Sequence, residues 1–226
     1  MAGGGAFPVH LYMSTNIADI RKEYKLRTLS EKDVHPNPFK QFDKWWQEAL
    51  HSNVEEVNAM TLATASAEGM PDGRVVLLKG FDENGFTFFT NYNSAKGRQL
   101  LENPRACLVF FWAALERQVR LSGLVSLAAA AVSDEYFNSR PEGSRIGAWA
   151  SPQSEVIESR EWLEKNEEKL KIELKGDTLH RPPHWGGYVV KPTRMEFWQG
   201  RPSRLHDRIL YTLGGNGKWS IERLAP

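Results

Sequence analysis

The chain has 226 residues, with 29 Lys+Arg against 28 Asp+Glu, 41% hydrophobic and 11% aromatic residues, and one cysteine. This size suits one unit with a sizeable core, and a net charge of +1 leaves no global field for coating nucleic acid or binding an anionic membrane. Cys107 has no disulfide partner, no apolar run reaches spanning length and the start lacks a secretory pattern, so a cytoplasmic setting is expected.

In chain order, the Gly3-Gly4-Gly5 stretch marks the first dozen residues as an extension outside the fold. Residues 14–35 are polar, with a short helical possibility from Ile17 to Tyr24 and little to bury, so residues 1–25 read as an arm and 26–226 as a single domain. Pro38 suits a first helical position, and Phe39, Phe42, Trp45, Trp46, Ala49 and Leu50 follow at spacings that put most of them on one helical face. The period then changes to that of strands over 59–65, 74–80 and 86–91, separated by the turn clusters 68–71 and 82–85. Asn93 or Ser94 can cap a short helix over 95–101, which Pro104 ends.

Strands are expected over 106–112 and 117–127, a helix over 128–139 and a longer charged helix over 159–175, with Gly143, Gly147 and Pro152 in connecting loops. Short strands at 188–190 and 195–198 precede a hairpin of 205–213 and 218–224 around a Gly-Gly-Asn-Gly turn. The fold class is therefore mainly β with helices (α+β), an antiparallel barrel decorated by helices.

No dinucleotide fingerprint, P-loop or nucleophile elbow is present, and the histidines have no zinc spacing, so no metal is expected. Four stretches can carry chemistry. Arg74 and Lys79 flank an apolar strand at odd separation, which would aim them at opposite faces and different anions; the plain alternative is a core strand with solvated ends. Asn93-Ser94-Ala95-Lys96 can seat a phosphate at a helix start, or merely cap it. Tyr136 and Arg140 share a helical side, with Ser144 beyond Pro141, and suit a phosphate monoester or a solvated helix end. In an extended chain Arg204, His206 and Arg208 share one face, a cationic row fit for an anionic or electron-rich ligand unless Asp207 neutralises it.

Read together, these stretches resemble the pyridoxamine 5'-phosphate oxidase family. The matching pieces include Arg74-Val-Val-Leu-Leu-Lys79-Gly80, Phe89-Thr90-Asn91, Leu115-Glu-Arg-Gln-Val119, Ser139-Arg-Pro141, Ser144-Arg-Ile-Gly-Ala-Trp149, Gln153-Ser154, Trp185-Gly-Gly187, Glu196-Phe-Trp-Gln-Gly200, Arg204-Leu-His-Asp-Arg208 and Glu222-Arg-Leu-Ala-Pro226. They span nearly the whole chain from Ile17 onward.

The resemblance implies an FMN-binding split β-barrel, a homodimer with FMN at the interface, and oxidation of pyridoxine or pyridoxamine 5'-phosphate to pyridoxal 5'-phosphate. In that family a hydride passes from C4' to flavin N5, and O2 is reduced to H2O2. Carried over, the FMN contacts are Arg74, Val75, Val76, Leu77, Leu78, Lys79, Phe89, Thr90, Lys96, Gln118, Gln153, Ser154, Trp198 and Arg208. The substrate phosphate falls to Lys79, Tyr136, Arg140 and Ser144, and its ring to Arg204, Leu205 and His206, with Arg204 and His206 as the catalytic pair. Arg21 and Tyr24 match positions that can close over the substrate. Ala95 stands where many members carry Arg, so the FMN phosphate is expected to lose one charge-assisted contact. A flavin- or haem-binding carrier or sensor on the same fold is the competing reading, and a pyridoxal 5'-phosphate carrier a third.

Overall fold

Strand-forming runs pair here mostly with their neighbours in sequence, as six of the eight strand pairings among the described residues do. The computed structural model describes residues 16–174 and 179–226. The first dozen residues, most of the arm and Lys175 at the end of the expected charged helix lie outside or at the edge of that range.

Helix α1 (Pro38–Leu50) starts with Pro38 in its first turn and Asn37 as N-cap, its side chain accepting from the N–H groups of Phe39 and Lys40. It buries Phe42, Trp45 and Ala49. Among the described residues nine strands follow, β1 (Ala59–Ala65), β2 (Pro71–Leu77), β3 (Gly80–Asp82), β4 (Gly85–Asn91), β5 (Arg105–Trp112), β6 (Arg117–Leu127), β7 (Trp185–Gln199), β8 (Asp207–Leu213) and β9 (Trp219–Arg223). All pairings are antiparallel, and the main path runs β2-β1-β5-β6-β7-β4-β3.

The two ends of that path, β2 and β3, are joined by only Leu78 and Lys79. The sheet must therefore curl until its edges approach. Strand β7 pairs along one edge with β6, while its other edge takes β4 over Trp185–Val190 and β8 over Arg194–Gln199. This divided edge splits the barrel. The enclosed core includes Phe42, Trp45, Phe86, Phe88, Phe110, Trp112, Phe197 and Tyr211.

Helices α2 (Ala95–Glu102), α3 (Ala130–Ser139), α4 (Glu142–Ala150) and α5 (Arg160–Glu173) decorate the sheet. The architecture is the antiparallel, helix-decorated barrel expected from the sequence.

Five local expectations are corrected. The strand expected over 74–80 ends at Leu77, because Leu78 turns into the core and its N–H bonds Asn58 O. The stretch with Gly143 and Gly147, read as loop, is helix α4: Ile146 and Ala150 form its buried stripe, and neither glycine is crowded. The strands at 188–190 and 195–198 are one strand, since a register shift at Ser122/Gly123 accommodates Pro192. Ile17–Asp19 makes only a short 3-10 turn, and the stretch expected to have little to bury places Leu29 and Val34, beyond the arm, in the core. Finally, β8 starts at Asp207, so Arg204 and His206 do not share a strand face with Arg208.

Candidate functional site

The carried-over residues fall into two groups. The first surrounds a cavity of about 320 Å³ lined by Arg74, Val75, Val76, Leu77, Lys79, Phe89, Thr90, Lys96, Tyr136, Arg140, Gln153 and Trp185. Arg74 and Lys79 thus share one cavity, contrary to the strand-period argument. The chain leaves the strand between them, which cancels the alternation.

Lys96 is placed by the first turn of α2, where the Ser94 side chain caps the helix by accepting from Gly97 N–H. The helix lies so close to β4 that a Cβ on Gly97 would fall 2.0 Å from Tyr92 O. Gly97→Ala is expected to destabilise the protein by about 2 kcal/mol or more, read as a lowered Tm.

Lys96 Nζ donates to Gln153 Oε1 (2.8 Å), Thr90 Oγ1 (3.2 Å) and Ser94 Oγ (3.3 Å), and has no carboxylate among these partners. Burial, then the nearby Arg74 charge, pushes its pKa down to about 8. Arg74 is held by Thr64 Oγ1, Gln99 Oε1 and Asp72.

Across the cavity, Phe89 stacks on Tyr136 with centroids 4.1 Å apart and on Trp185 at 5.6 Å. Lys79 Nζ lies 5.7 Å from the centre of the Tyr136 ring, and the Arg140 guanidinium 4.6 Å from that of Trp185. Arg140 Nη1 is buried with no hydrogen-bond partner, and burial lowers its pKa. An unsatisfied buried guanidinium nitrogen is costly unless a ligand completes it. Four cations around one cavity, a buried ammonium and an orphaned guanidinium nitrogen fit the phosphates of FMN and of a phosphorylated substrate.

Ser144 is exposed in the first turn of α4, and Ser154 is exposed at φ 73° beside Gln153; neither lines this cavity. Leu78 does not line it either, and both its side chain and its amide are engaged elsewhere.

The second group gathers where β6, β7 and β8 pair, with the arm and the turn before β8 beside them. Gln118 pairs with Trp198, and Trp198 with Arg208, which sets these three in a row across the strands. Arg208 is paired rather than free: it makes two hydrogen bonds to the Glu196 carboxylate (2.8 and 3.2 Å) and one to Ala225 O. Asp207 pairs with Arg201 and Arg223, not with Arg204 or Arg208.

The His206 ring sits 4.6 Å from Trp198 and 5.9 Å from Tyr24. Its Nδ1 accepts from Arg201 N–H (3.1 Å), so the neutral ring carries its proton on Nε2. Burial and the Arg204 charge lower its pKa, which favours that neutral form.

Arg204 and Ser203 both adopt left-handed backbone, at φ 61° and 57°. Two such residues in succession store strain of about 1 kcal/mol or more each. Arg204 has no carboxylate partner among the described residues. With Arg21, Tyr24, Arg201, Ser203 and His206 it lines a second cavity of about 510 Å³, while Leu205 is exposed. The two cavities share no lining residue.

Residues 46–172 match the family model described as "Pyridoxamine 5'-phosphate oxidase", and residues 185–226 the "Pyridoxine 5'-phosphate oxidase C-terminal dimerisation region". The chain belongs to the pyridoxamine 5'-phosphate oxidase family. It is 56% identical to the pyridoxine/pyridoxamine 5'-phosphate oxidase of Nostoc punctiforme, over 95% of this chain and all of the relative. It is 57% identical, with the same coverage, to the one from Paraburkholderia phymatum.

Among solved structures, PhzG from Burkholderia lata in complex with tetrahydrophenazine-1-carboxylic acid superposes with a TM-score of 0.84 at 29% identity, covering 91% of this chain and 100% of PhzG. A pyridoxamine 5'-phosphate oxidase-related, FMN-binding protein from Nostoc punctiforme superposes at 0.67 and 20% identity, covering 84% and 98%, and shares the fold.

Sequence reasoning assigned no role to Trp185, which completes the aromatic stack, or to Asp72 and Gln99, which hold Arg74. The Trp-Gly-Gly run was a signal for the first. Close packing explains its glycines, since a Cβ on Gly187 would lie 2.8 Å from Ala128 Cβ and 2.9 Å from the Phe89 ring. Among the described residues no helix is long and apolar enough to cross a membrane, and no acidic, His or Cys cluster could hold a metal.

Proposed function

We propose that this chain is an FMN-dependent oxidase that converts pyridoxine 5'-phosphate and pyridoxamine 5'-phosphate to pyridoxal 5'-phosphate, working in the cytoplasm as a homodimer in vitamin B6 salvage. The observation that carries this reading is the cation-lined cavity with its unsatisfied Arg140 Nη1. Relatives at 56–57% identity carry the matching name. The ligand in the PhzG complex is by name a carboxylic acid, whereas four cations around one cavity favour phosphate esters.

Bound FMN would supply the acceptor for the C4' hydride and pass the electrons to O2, giving H2O2. Arg74, Lys96, Thr90 and Gln153 would hold its phosphate, with Val75, Val76 and Leu77 alongside, Ser154 following in the chain, and Gln118, Trp198 and Arg208 along the ring. Lys79, Tyr136 and Arg140 would hold the substrate phosphate, with Ser144 in the first turn of α4 following Pro141. Clamping that phosphate fixes C4' relative to the ring and removes much of the orientational entropy of reaction.

Arg204 would orient the pyridine ring. His206, whose Nδ1 is engaged by Arg201 N–H, would donate from Nε2 to the oxygen or nitrogen on C4'. That geometry makes His206 a hydrogen-bond donor at C4'; the proton lost there as the hydride leaves would pass to water, and for the amine substrate water would then release ammonia to give the aldehyde.

The second copy has a structural reason. The cavity of Arg204 and His206 is separate from the cationic cavity of Arg74, Lys79, Lys96 and Arg140, and Val75, Phe111, Leu124 and Leu127 leave apolar surface exposed on the sheet. A partner bringing its Arg204 cavity to this chain's cationic cavity would unite them, consistent with the matched dimerisation region.

Product formation measured with phosphorylated and unphosphorylated pyridoxine tests the assignment. Loss of at least about 100-fold in kcat/KM without the phosphate is expected from lost charge-assisted contacts. Equal turnover of the two would overturn it.

A further inference from the structure

Glu116 has no part in gripping cofactor or substrate in the reading above, on which this inference rests. It closes the turn after Ala113–Leu115 in a left-handed conformation, φ 53°, yet is only 3% exposed. A buried carboxylate at a strained position requires good partners.

Its Oε2 accepts from the backbone N–H groups of Lys25 (2.8 Å) and Leu26 (3.0 Å), and Lys22 Nζ lies 4.0 Å from Oε1. Its own carbonyl accepts from Gly200 N–H (2.7 Å) and Gln199 Nε2 (3.2 Å). One turn therefore grips the arm with its side chain and the end of β7 with its backbone.

Gly200 leaves the space between them empty. A Cβ there would lie 2.7 Å from Tyr24 Cβ and Cγ and 3.1 Å from Glu116 Cβ. Tyr24 seats in that space, edge-on to Trp198 at 5.6 Å and to His206 at 5.9 Å.

We propose that Glu116 is a positioning residue, which pins the arm at Lys25 and Leu26 so that Tyr24 holds Trp198 and His206 in their working orientation. The latch acts through two amides on one oxygen. A carboxamide oxygen can replace it in part, and a methyl group cannot.

The FMN-loaded full chain is compared with E116A and E116Q by trypsin cleavage after Lys25 and by steady-state kinetics with pyridoxine 5'-phosphate. Losing two charge-assisted bonds is expected to speed cleavage at Lys25–Leu26 by about tenfold or more in E116A, and to raise KM by about tenfold with kcat changed much less. E116Q should fall between E116A and the wild type in both readouts, and carries the test alone if E116A does not fold.

Y24A, which keeps the latch and removes the ring, should raise KM while leaving cleavage after Lys25 unchanged. Wild-type cleavage in the Glu116 variants would overturn the latch, and faster cleavage with unchanged KM would overturn the positioning role. The cleavage readout needs no activity, so an inactive wild type would sink the oxidase reading alone.

Discussion

Lys96→Met is expected to weaken FMN binding by roughly ten- to a hundredfold, the cost of one buried charge-assisted contact. Of the four cations around the cavity, Lys96 is the buried one. Its ammonium is buried among Thr90, Ser94 and Gln153, near the Arg74 guanidinium, and has been driven down to about pH 8.

The sign of the pH dependence follows. A folded-state pKa depressed from 10.5 to about 8 means the unfolded chain binds more protons between those values. For the cofactor-free protein the stability penalty of this lysine is therefore fully present below pH 8 and is relieved as pH rises toward 10.5.

A bound phosphate reverses the effect by favouring the charged form. FMN affinity should fall as pH rises above about 8, by at most about tenfold per pH unit, and Lys96→Met should abolish that slope. Titration of the apoprotein by flavin fluorescence at several pH values reads both. A variant that binds FMN as tightly and with the same slope would show that Lys96 does not face the phosphate.

Arg204→Met is expected to lower kcat/KM by about 100-fold or more while leaving the bound FMN content nearly unchanged. Three nearby arginines have carboxylate partners: Arg201 and Arg223 share Asp207, and Arg208 holds Glu196. Arg204 has none among the described residues, and sits in a strained turn that points to placement for a ligand rather than for stability. Kinetics and flavin content measured on the same preparation separate the roles, and equal losses in both would remove Arg204 from the substrate side.

Local patterns made the elements legible where one face is buried. The Phe42-Trp45-Ala49 stripe marks α1, the turn clusters bound β1 and β4, and Ser94 caps α2 as its spacing indicates. Helix α4 was hidden because Gly143 and Gly147 lower helical propensity, whereas Ile146 and Ala150 supply the packing that overrides it. The continuity of β7 was hidden by Pro192, which needs an irregularity in β6; its local signal is Gly123, where a Cβ would lie 1.9 Å from Lys191 O.

The residue types of the site were legible through the ordered motif blocks, but its grouping was not. Strand alternation set Arg74 and Lys79 apart, and only the break after Leu77 brings them to one cavity. The Glu196 pairing of Arg208 depends on the register of β7 against β8, and the grip of Glu116 on the arm joins residues distant in sequence, which no spacing reveals.

The central claim is that this chain moves a hydride from a phosphorylated B6 vitamer to bound FMN. It is tested most directly by the flavin absorbance of the FMN-loaded protein under anaerobic conditions, before and after adding pyridoxine or pyridoxamine 5'-phosphate. Bleaching on addition, with recovery when oxygen is admitted, is the predicted result. Flavin that stays bound and never bleaches with either vitamer would contradict the oxidase reading and favour a flavin carrier or sensor.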